Sequence, residues 1–509
     1  MLKFIDNFLN KITMYRLVLY VLILMIIAGL LFSILGILPY DPILFLITIT
    51  FVVAISLILD GLFAWAFDAP TNVESVYITA LILVLIITPI KDIGDISYLL
   101  FLFWASVWGV ASKYIFAINK KHIFNPAALA VVITAFSINQ YASWWIGTLI
   151  MSPFVILGGF LVVRKIKRFD MVASFILLAL VFIVGARATD FYSSITLLYK
   201  TLFYTPLLFF AFIMLTEPLT TPPHKSLRII YGAFCGFLFS PLIHIGALFF
   251  TPELSLISAN LFSYIISPKQ KLVLKLKDRI QVAQDTYDFV FATPYSLSFK
   301  PGKYMEWTLG HKKIDSRGNR RYFTIASSPT EKREIRMGIK FYPNGSSFKK
   351  KLLSMNAGEI IVASQLAGDF TIPRSKKKKL VFIAGGIGIT PFRSMIKYLI
   401  DTKQKRDIVL LYSNKTPADI AYKNILDQAE KELGIKIIYT VTDKIKPGTW
   451  QGRTGYIDTR MIVQEIPDYS ERYFYLSGTH GMVTTFDSVL QEMGVGKSHI
   501  KKDFFPGFA

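Results

Sequence analysis

The residues with the clearest chemical potential lie in the last 240 of the chain's 509 positions. Leu380–Gly385 reads as a buried strand that runs into Gly386-Ile387-Gly388-Ile389-Thr390-Pro391 and then a helix. Glycines directly after such a strand let a backbone turn approach a pyrophosphate, and the helix N-terminus that follows favours its charge. Pro391 suits the first helical turn, where its missing amide is no loss. Upstream stands Arg321-Tyr322-Phe323-Thr324-Ile325-Ala326-Ser327-Ser328-Pro329. There an arginine can neutralise a diphosphate, an aromatic can stack beside an isoalloxazine ring, and a hydroxyl can hydrogen-bond flavin N5. Gly345-Ser346-Ser347-Phe348 offers small backbone donors and hydroxyls for phosphate. Leu476-Ser477-Gly478-Thr479-His480-Gly481-Met482 closes a later strand, and Asp503–Phe508 supplies aromatics that could cover a flavin face.

Two kinds of element must position these groups. From Lys271 to about Pro373, short alternating apolar runs such as LVLKLKDRI and YDFVFATP, separated by Gly, Pro and Asn, predict a small antiparallel barrel. Beyond Lys376–Lys379, LVFIAGG, DIVLLYSN, KIIYTVTD and RYFYLSG alternate with helical stretches and predict a parallel α/β sheet, whose ligands bind at the strands' C-terminal ends. The boundaries expected are 268–374 for the barrel and 375–509 for the α/β domain.

In this order, the motifs resemble those of the ferredoxin–NADP reductase family of flavoprotein modules, over about residues 270–509. Arg321, Phe323 and Thr324 match its flavin motif, with Phe in place of Tyr, and Gly345, Ser346, Ser347 and Phe348 match its flavin-pyrophosphate segment. Gly386, Gly388 and Pro391 match its pyridine-nucleotide loop, and Ser477, Gly478 and Met482 its Cys-Gly-x-x-x-Met element, with Ser for Cys. The resemblance implies FAD and a nicotinamide cofactor. Thr324, Ser477 and Phe508 would stand at the reacting centre, with Ser327 and Thr390 among the cofactor contacts. NADPH or NADH stays open, but Ser413 and Lys415 after the second sheet strand, with no acid ending it, tilt the reading toward a 2′-phosphate and NADPH.

Composition separates this region from the rest. The chain is 53% hydrophobic and carries a net charge of +22, yet residues 1–268 hold 15 Lys+Arg against 11 Asp+Glu, leaving +18 of the excess in 269–509. A basic domain beside anionic headgroups accounts for that charge better than nucleic acid, which is not an expected partner. The one cysteine, Cys235, excludes an intramolecular disulfide and a cysteine-ligated iron–sulfur cluster within the chain. Three histidines near segment ends in the apolar half do not make the paired axial ligands of a transmembrane haem relay.

Hydrophobic runs at roughly 15–37, 43–67, 76–90, 96–117, 126–138, 143–163, 169–187, 201–217, 226–243 and 253–266 predict a bundle of about ten membrane segments. Under that count, 12 of the 15 basic residues of this half share one side, and both termini and the soluble half are cytoplasmic in a bacterial-type inner membrane. Ser75–Pro89, Asn125–Ile138 and the stretch around Thr216-Glu217-Pro218 are too short or broken for simple spans and predict discontinuous helices. The strings ESVYITALILVLIITP, FNPAALAVV and IMLTEPLTTPPHKSLRIIYG, in order over residues 1–267, resemble the RnfD/NqrB membrane subunits of ion-translocating oxidoreductases. That resemblance implies a flavin-binding, electron-carrying bundle with Asn125, Thr216 and Glu217 among its site residues. Ala142–Thr148 lacks the covalent attachment motif, so a second flavin, FMN or riboflavin, would be non-covalent if bound at all.

The combined expectation is a polytopic α-helical membrane bundle fused to a β-barrel flavin domain and an α/β parallel-sheet nucleotide-binding domain. Electrons would pass from NAD(P)H through FAD to a quinone, a membrane flavin or an extracytoplasmic redox partner protein. The alternatives are a redox-driven Na⁺ or H⁺ translocator, with Asp60, Asp68 and Glu217 in the ion path, and a reductase on a non-redox anchor.

Overall fold

The computed structural model describes the chain except residues 1, 11, 68–72, 119–120, 186–189, 268–271, 312–313, 316–317, 444–449 and 506–509. It divides into two units, Met1–Gln270 and Lys271–Ala509.

The first unit is helical and includes α1 (Met14–Ile34), α2 (Pro42–Ala66), α3 (Val73–Ile86), α4 (Ile96–Ile115), α5 (Pro126–Ile138), α6 (Phe169–Gly185), α7 (Lys225–Leu238) and α8 (Pro252–Ile266). Asp41, Asn125 and Thr251 cap α2, α5 and α8 with side-chain oxygens, each followed by proline at the first helical position. On α7, a Cβ at Gly232 would lie 2.3 Å from the Met171 carbonyl oxygen and one at Gly236 2.4 Å from that of Phe175, so glycines let α7 and α6 approach backbone to backbone.

Among the described residues three helices, α1, α2 and α4, are long and apolar enough to cross a membrane. The number is four if Phe191–Phe203 and Leu207–Met214, bent by 57°, form one broken span. The expected count of about ten is therefore corrected. Apolar runs are not spans: α3 and α5 have 14 and 13 residues, about 20 Å at the helical rise against a hydrocarbon core of about 30 Å. The run at 143–163 becomes helical only from Ser152.

The second unit opens with β1 (Leu272–Ala283), β2 (Thr286–Ala292), β3 (Tyr304–Thr308), β4 (Arg320–Thr324), β5 (Glu334–Lys340) and, after helix α9 (Ser347–Leu353), β6 (Ile360–Ala367). Their order is β4-β3-β6-β1-β2-β5 and every pairing is antiparallel. Leu272, Leu274 and Leu276 point inward while Val273, Lys275 and Lys277 point out, the period-two pattern of a half-buried strand. Just past β4, the Ala326 amide donates to the Arg336 carbonyl of β5 at 2.8 Å, which brings the two edges together into a barrel. Phe348 and Leu352 of α9 are buried in its core with Trp307.

The chain continues through β7 (Leu380–Gly385), α10 (Thr390–Asp401), β8 (Ile408–Asn414), α11 (Lys423–Leu433), β9 (Lys436–Val441), β10 (Arg453–Thr454), β11 (Tyr473–Thr479), α12 (His480–Glu492) and β12 (Ile500–Phe505). These strands form a parallel sheet of order β10-β9-β8-β7-β11-β12. Strand β7 lies between β8 and β11, so the order reverses there, and the crevice beyond that point is where open α/β sheets bind ligands. The backbone of Asp503–Phe505 pairs with Ser477–Thr479 as the end of an edge strand. Phe508 lies outside the described residues.

Candidate functional site

At the sheet's reversal the two glycines of the β7 turn do different work. Gly386 takes the left-handed conformation (φ +52°), and a Cβ there would meet nothing within 4 Å. At Gly388 a Cβ would sit 2.3 Å from the Ser477 carbonyl oxygen, so this glycine lets the turn press onto the end of β11. Of the two glycines expected to let the turn approach a pyrophosphate, Gly386 has open space at its Cβ position and Gly388 has the end of β11 there. Thr390 turns its hydroxyl back to the Ile387 carbonyl at 3.1 Å, and Pro391 occupies the first turn of α10.

Across the reversal, Met482 Sδ packs where a Cβ on Gly385 (2.1 Å) or on Gly478 (2.9 Å) would be. Ser477 is fully buried, and its hydroxyl has no hydrogen-bond partner. An orphaned buried hydroxyl costs about 1–3 kcal/mol, so a polar ligand atom at this position fits the site. Ser413 stands near the end of β8, paired with Gly385, and Lys415 follows it exposed.

On the barrel side, Arg321 and Thr324 of β4 are buried, the Arg321 guanidinium lies 5.4 Å from the centroid of the Phe348 ring, and Phe323 packs against Phe348 at 5.9 Å. Ser327 uses its hydroxyl as an acceptor for the Arg336 amide at 3.1 Å. The Gly345–Phe348 segment is more occupied than its sequence implies. Gly345 donates its amide to Tyr342, and the Ser346 hydroxyl caps the Lys349 amide at 3.4 Å. The Ser347 amide donates to Asp315 Oδ2 at 2.8 Å, and its hydroxyl meets His311 Nε2 at 2.9 Å. An anionic oxygen already sits at this helix start, so the position accommodates negative charge.

A cluster with no forewarning in the sequence joins barrel to sheet. Arg393 of α10 donates through Nη2 to Glu331 Oε1 at 2.9 Å and through Nη1 to Glu331 Oε2 and the Ala326 carbonyl, the latter at 2.9 Å. Tyr422, at the start of α11, donates to Asp288 of β2 at 2.7 Å, and Arg336 lies 3.6 Å from the same carboxylate. Burial raises the Asp288 carboxyl above its ordinary value despite these partners. Burial alone would raise Glu331 too, but the Arg393 hydrogen bonds and charge, with the Ser328 amide, hold it below. These residues carry no spacing signal, because two strands, two helices and the loop between β4 and β5 contribute them.

In the helical unit, Asn125 and Glu217 meet although 92 residues apart: Asn125 Nδ2 donates to Glu217 Oε2 at 3.0 Å, and His122 Nε2 lies 2.9 Å from Glu217 Oε1. The Asn125 amide donates to Asn260 Oδ1 at 2.8 Å, and Asn260 donates to the Tyr231 hydroxyl at 2.9 Å. Thr216 does not join them; its hydroxyl returns to the Phe212 carbonyl at 2.8 Å. Asp60 is bonded by the Tyr114 hydroxyl at 2.8 Å, and Asp68 lies outside the described residues.

Comparison with known proteins defines the class of the second unit. Residues 273–371 match the family described as oxidoreductase FAD-binding domain, and residues 382–488 the family described as oxidoreductase NAD-binding domain. The C-terminal half is thus an FAD- and NAD-binding oxidoreductase module. The chain is 27% identical over 233 residues to the glycine betaine monooxygenase reductase subunit of Chromohalobacter salexigens, covering 44% of this chain and 62% of that protein. It is 25% identical over 238 residues to NADH-cytochrome b5 reductase 1 of Mortierella alpina, covering 46% and 78%. Among solved structures, the cytochrome b5 reductase domain of Ulva prolifera nitrate reductase matches with 24% identity and a TM-score of 0.42, covering 46% of this chain and 97% of that one.

Proposed function

We propose that the chain is a membrane-associated flavoenzyme that oxidises NAD(P)H in its C-terminal unit and passes the electrons to its helical unit, and on to a quinone, a membrane-held flavin or an extracytoplasmic redox partner protein. The observation that carries the reading is the convergence of the Gly385–Gly388 turn with Ser477, Gly478 and Met482 at the sheet's reversal, inside a region matching FAD- and NAD-binding families. Bound FAD would supply hydride acceptance from nicotinamide and one-electron release. The chain's own residues bind and orient. Arg321 places positive charge for the pyrophosphate, with Ser346 and Ser347 at its edge, and Phe323 and Thr324 stand for the flavin ring. Gly386 admits the nucleotide phosphates, and Ser477 offers its unpaired hydroxyl to the reacting ends.

Lys415, with Ser413, favours NADPH, whereas the named specificity of the Mortierella relative is NADH. The ratio of kcat/KM for the two nucleotides, and its response to Lys415→Ala, decides between them. Three helices long and apolar enough to cross a membrane support a membrane location, and the surplus of Lys and Arg in the second unit favours the side with anionic headgroups, the cytoplasmic face. The test of the central activity is anaerobic: purified protein carries FAD, and NADPH or NADH bleaches its visible absorbance. Protein without flavin, or flavin that neither nucleotide reduces, overturns the reading.

A second reading makes the helical unit an ion translocator driven by the same electrons. The partly buried Glu217–His122–Asn125 contacts favour it, since ionisable groups held among apolar helices are candidates for ion and proton paths. Redox-driven ²²Na⁺ uptake or acidification in proteoliposomes, abolished by Glu217→Gln, is its expected result; turnover with neither sinks it.

A further inference from the structure

We infer that Arg393 and Ser394 are positioning residues that fix the flavin-side loop against the nucleotide-side helix, and so set the geometry for hydride transfer; the inference rests on the proposed NAD(P)H:FAD reaction. Residues 325–328 of the loop that follows Thr324 are each held by hydrogen bonds. On its barrel side, Ile325 donates its amide to Lys303 at 2.9 Å, Ala326 donates to Arg336 at 2.8 Å, and the Ser327 hydroxyl accepts from the Arg336 amide at 3.1 Å. On its other side two hydrogen bonds come from α10: Arg393 Nη1 donates to the Ala326 carbonyl at 2.9 Å, and the Ser394 hydroxyl to the Ser327 carbonyl at 2.6 Å.

Chain distances make this contact short. Ala326 is two residues past Thr324, the hydroxyl expected at flavin N5, and Arg393 is two residues past Pro391, which ends the nucleotide turn. Two residues at each end and one hydrogen bond therefore join the flavin and nucleotide segments. Glu331 makes the joint rigid. It takes both Arg393 nitrogens and also accepts the Ser328 amide at 2.6 Å, so one carboxylate braces the guanidinium and the loop together. The surroundings leave little freedom: Arg393, Ser394, Ser327 and Ser328 are all buried, and a Cβ at Gly338 of β5 would lie 2.7 Å from Thr390 Cγ2 and 2.2 Å from the Tyr422 hydroxyl. Gly338 thus lets α10 and α11 seat directly on the barrel.

A merely cohesive interface and a positioning one differ in what their loss does to flavin-loaded protein. Three variants of the full chain separate them: Ser394→Ala, Arg393→Lys, and the double variant Arg393→Met with Glu331→Gln, which avoids leaving a buried carboxylate unpaired. Two readouts are taken, amide hydrogen exchange over residues 325–328 without nucleotide, and the rate of flavin reduction at saturating NADPH or NADH per bound FAD. The expected result is faster exchange in that segment and reduction slowed about 10- to 100-fold in the double variant, the cost of a misplacement near 1 Å. Ser394→Ala loses less, and Arg393→Lys, which keeps a donor and the charge, recovers part of the rate. Unchanged exchange, or loaded variants reduced at the wild-type rate, overturns the inference. If wild-type flavin is not reduced by either nucleotide, the underlying reaction fails instead, while the exchange result still judges the clamp.

Discussion

Ser477 shows how a single residue type departs from a motif and what that does. Its hydroxyl is buried and unpartnered in the folded chain, so Ser477→Ala removes a desolvated group. Thermal unfolding is expected to show stability unchanged or raised by about 1 kcal/mol, while flavin reduction by NAD(P)H slows; a destabilised variant with normal reduction would reverse that assignment. Glu331 and Asp288 make a pH prediction with opposite signs. The Glu331 carboxyl is depressed in the folded chain, so its contribution is present above the ordinary glutamate value and is lost as pH falls through the folded one. Asp288 is raised, so its contribution grows as pH falls through its folded value toward the ordinary aspartate one. Replacing Glu331 by Gln should therefore flatten the acid loss of stability below about pH 4.3, measured by urea unfolding across that range. An unchanged slope contradicts the pairing. The candidate residues legible in the sequence, Arg321, Thr324, Gly386 and Ser477, sit within single short strings. Arg393, Glu331 and Asp288 do not, because their partners come together only through tertiary packing.

Elements were legible where period and punctuation agreed. The alternation Leu272, Leu274, Leu276 marks β1, and the glycine turn after a six-residue apolar strand marks β7 and α10. The edge strand β12 was hidden, since Ile500–Phe505 mixes Lys, Asp and Phe without alternation and is fixed by pairing with β11. Membrane spans were overcounted because hydrophobicity records burial as well as lipid contact: every residue of α3 from Thr79 to Ile86 is buried within the protein. Two glycines make predictions at this scale. Gly388→Ala places a Cβ 2.3 Å from the Ser477 carbonyl and should cost about 1–3 kcal/mol as strand and turn move apart, with nucleotide affinity falling alongside. Gly232→Leu would meet the Met171 carbonyl of α6 and should lower the melting temperature of detergent-purified protein; a variant as stable as wild type would mean that α6 and α7 do not pack this closely.

At the scale of the whole chain, an apolar helical unit and a basic oxidoreductase module are joined in one polypeptide. The protein should resist alkaline extraction from membranes, and release by carbonate would contradict the reading of α1, α2 and α4 as spans. With one cysteine, buried at position 235, electrons leaving the module need a carrier other than a cysteine-ligated cluster held by this chain. The central claim is that the module takes a hydride directly from nicotinamide. Stopped-flow reduction of the purified, FAD-loaded protein with nucleotide deuterated at C4 tests it. The expected result is bleaching in a single turnover, slowed by deuterium at the transferred position. Bleaching that deuterium leaves unaffected at every nucleotide concentration, or none at all, would contradict it.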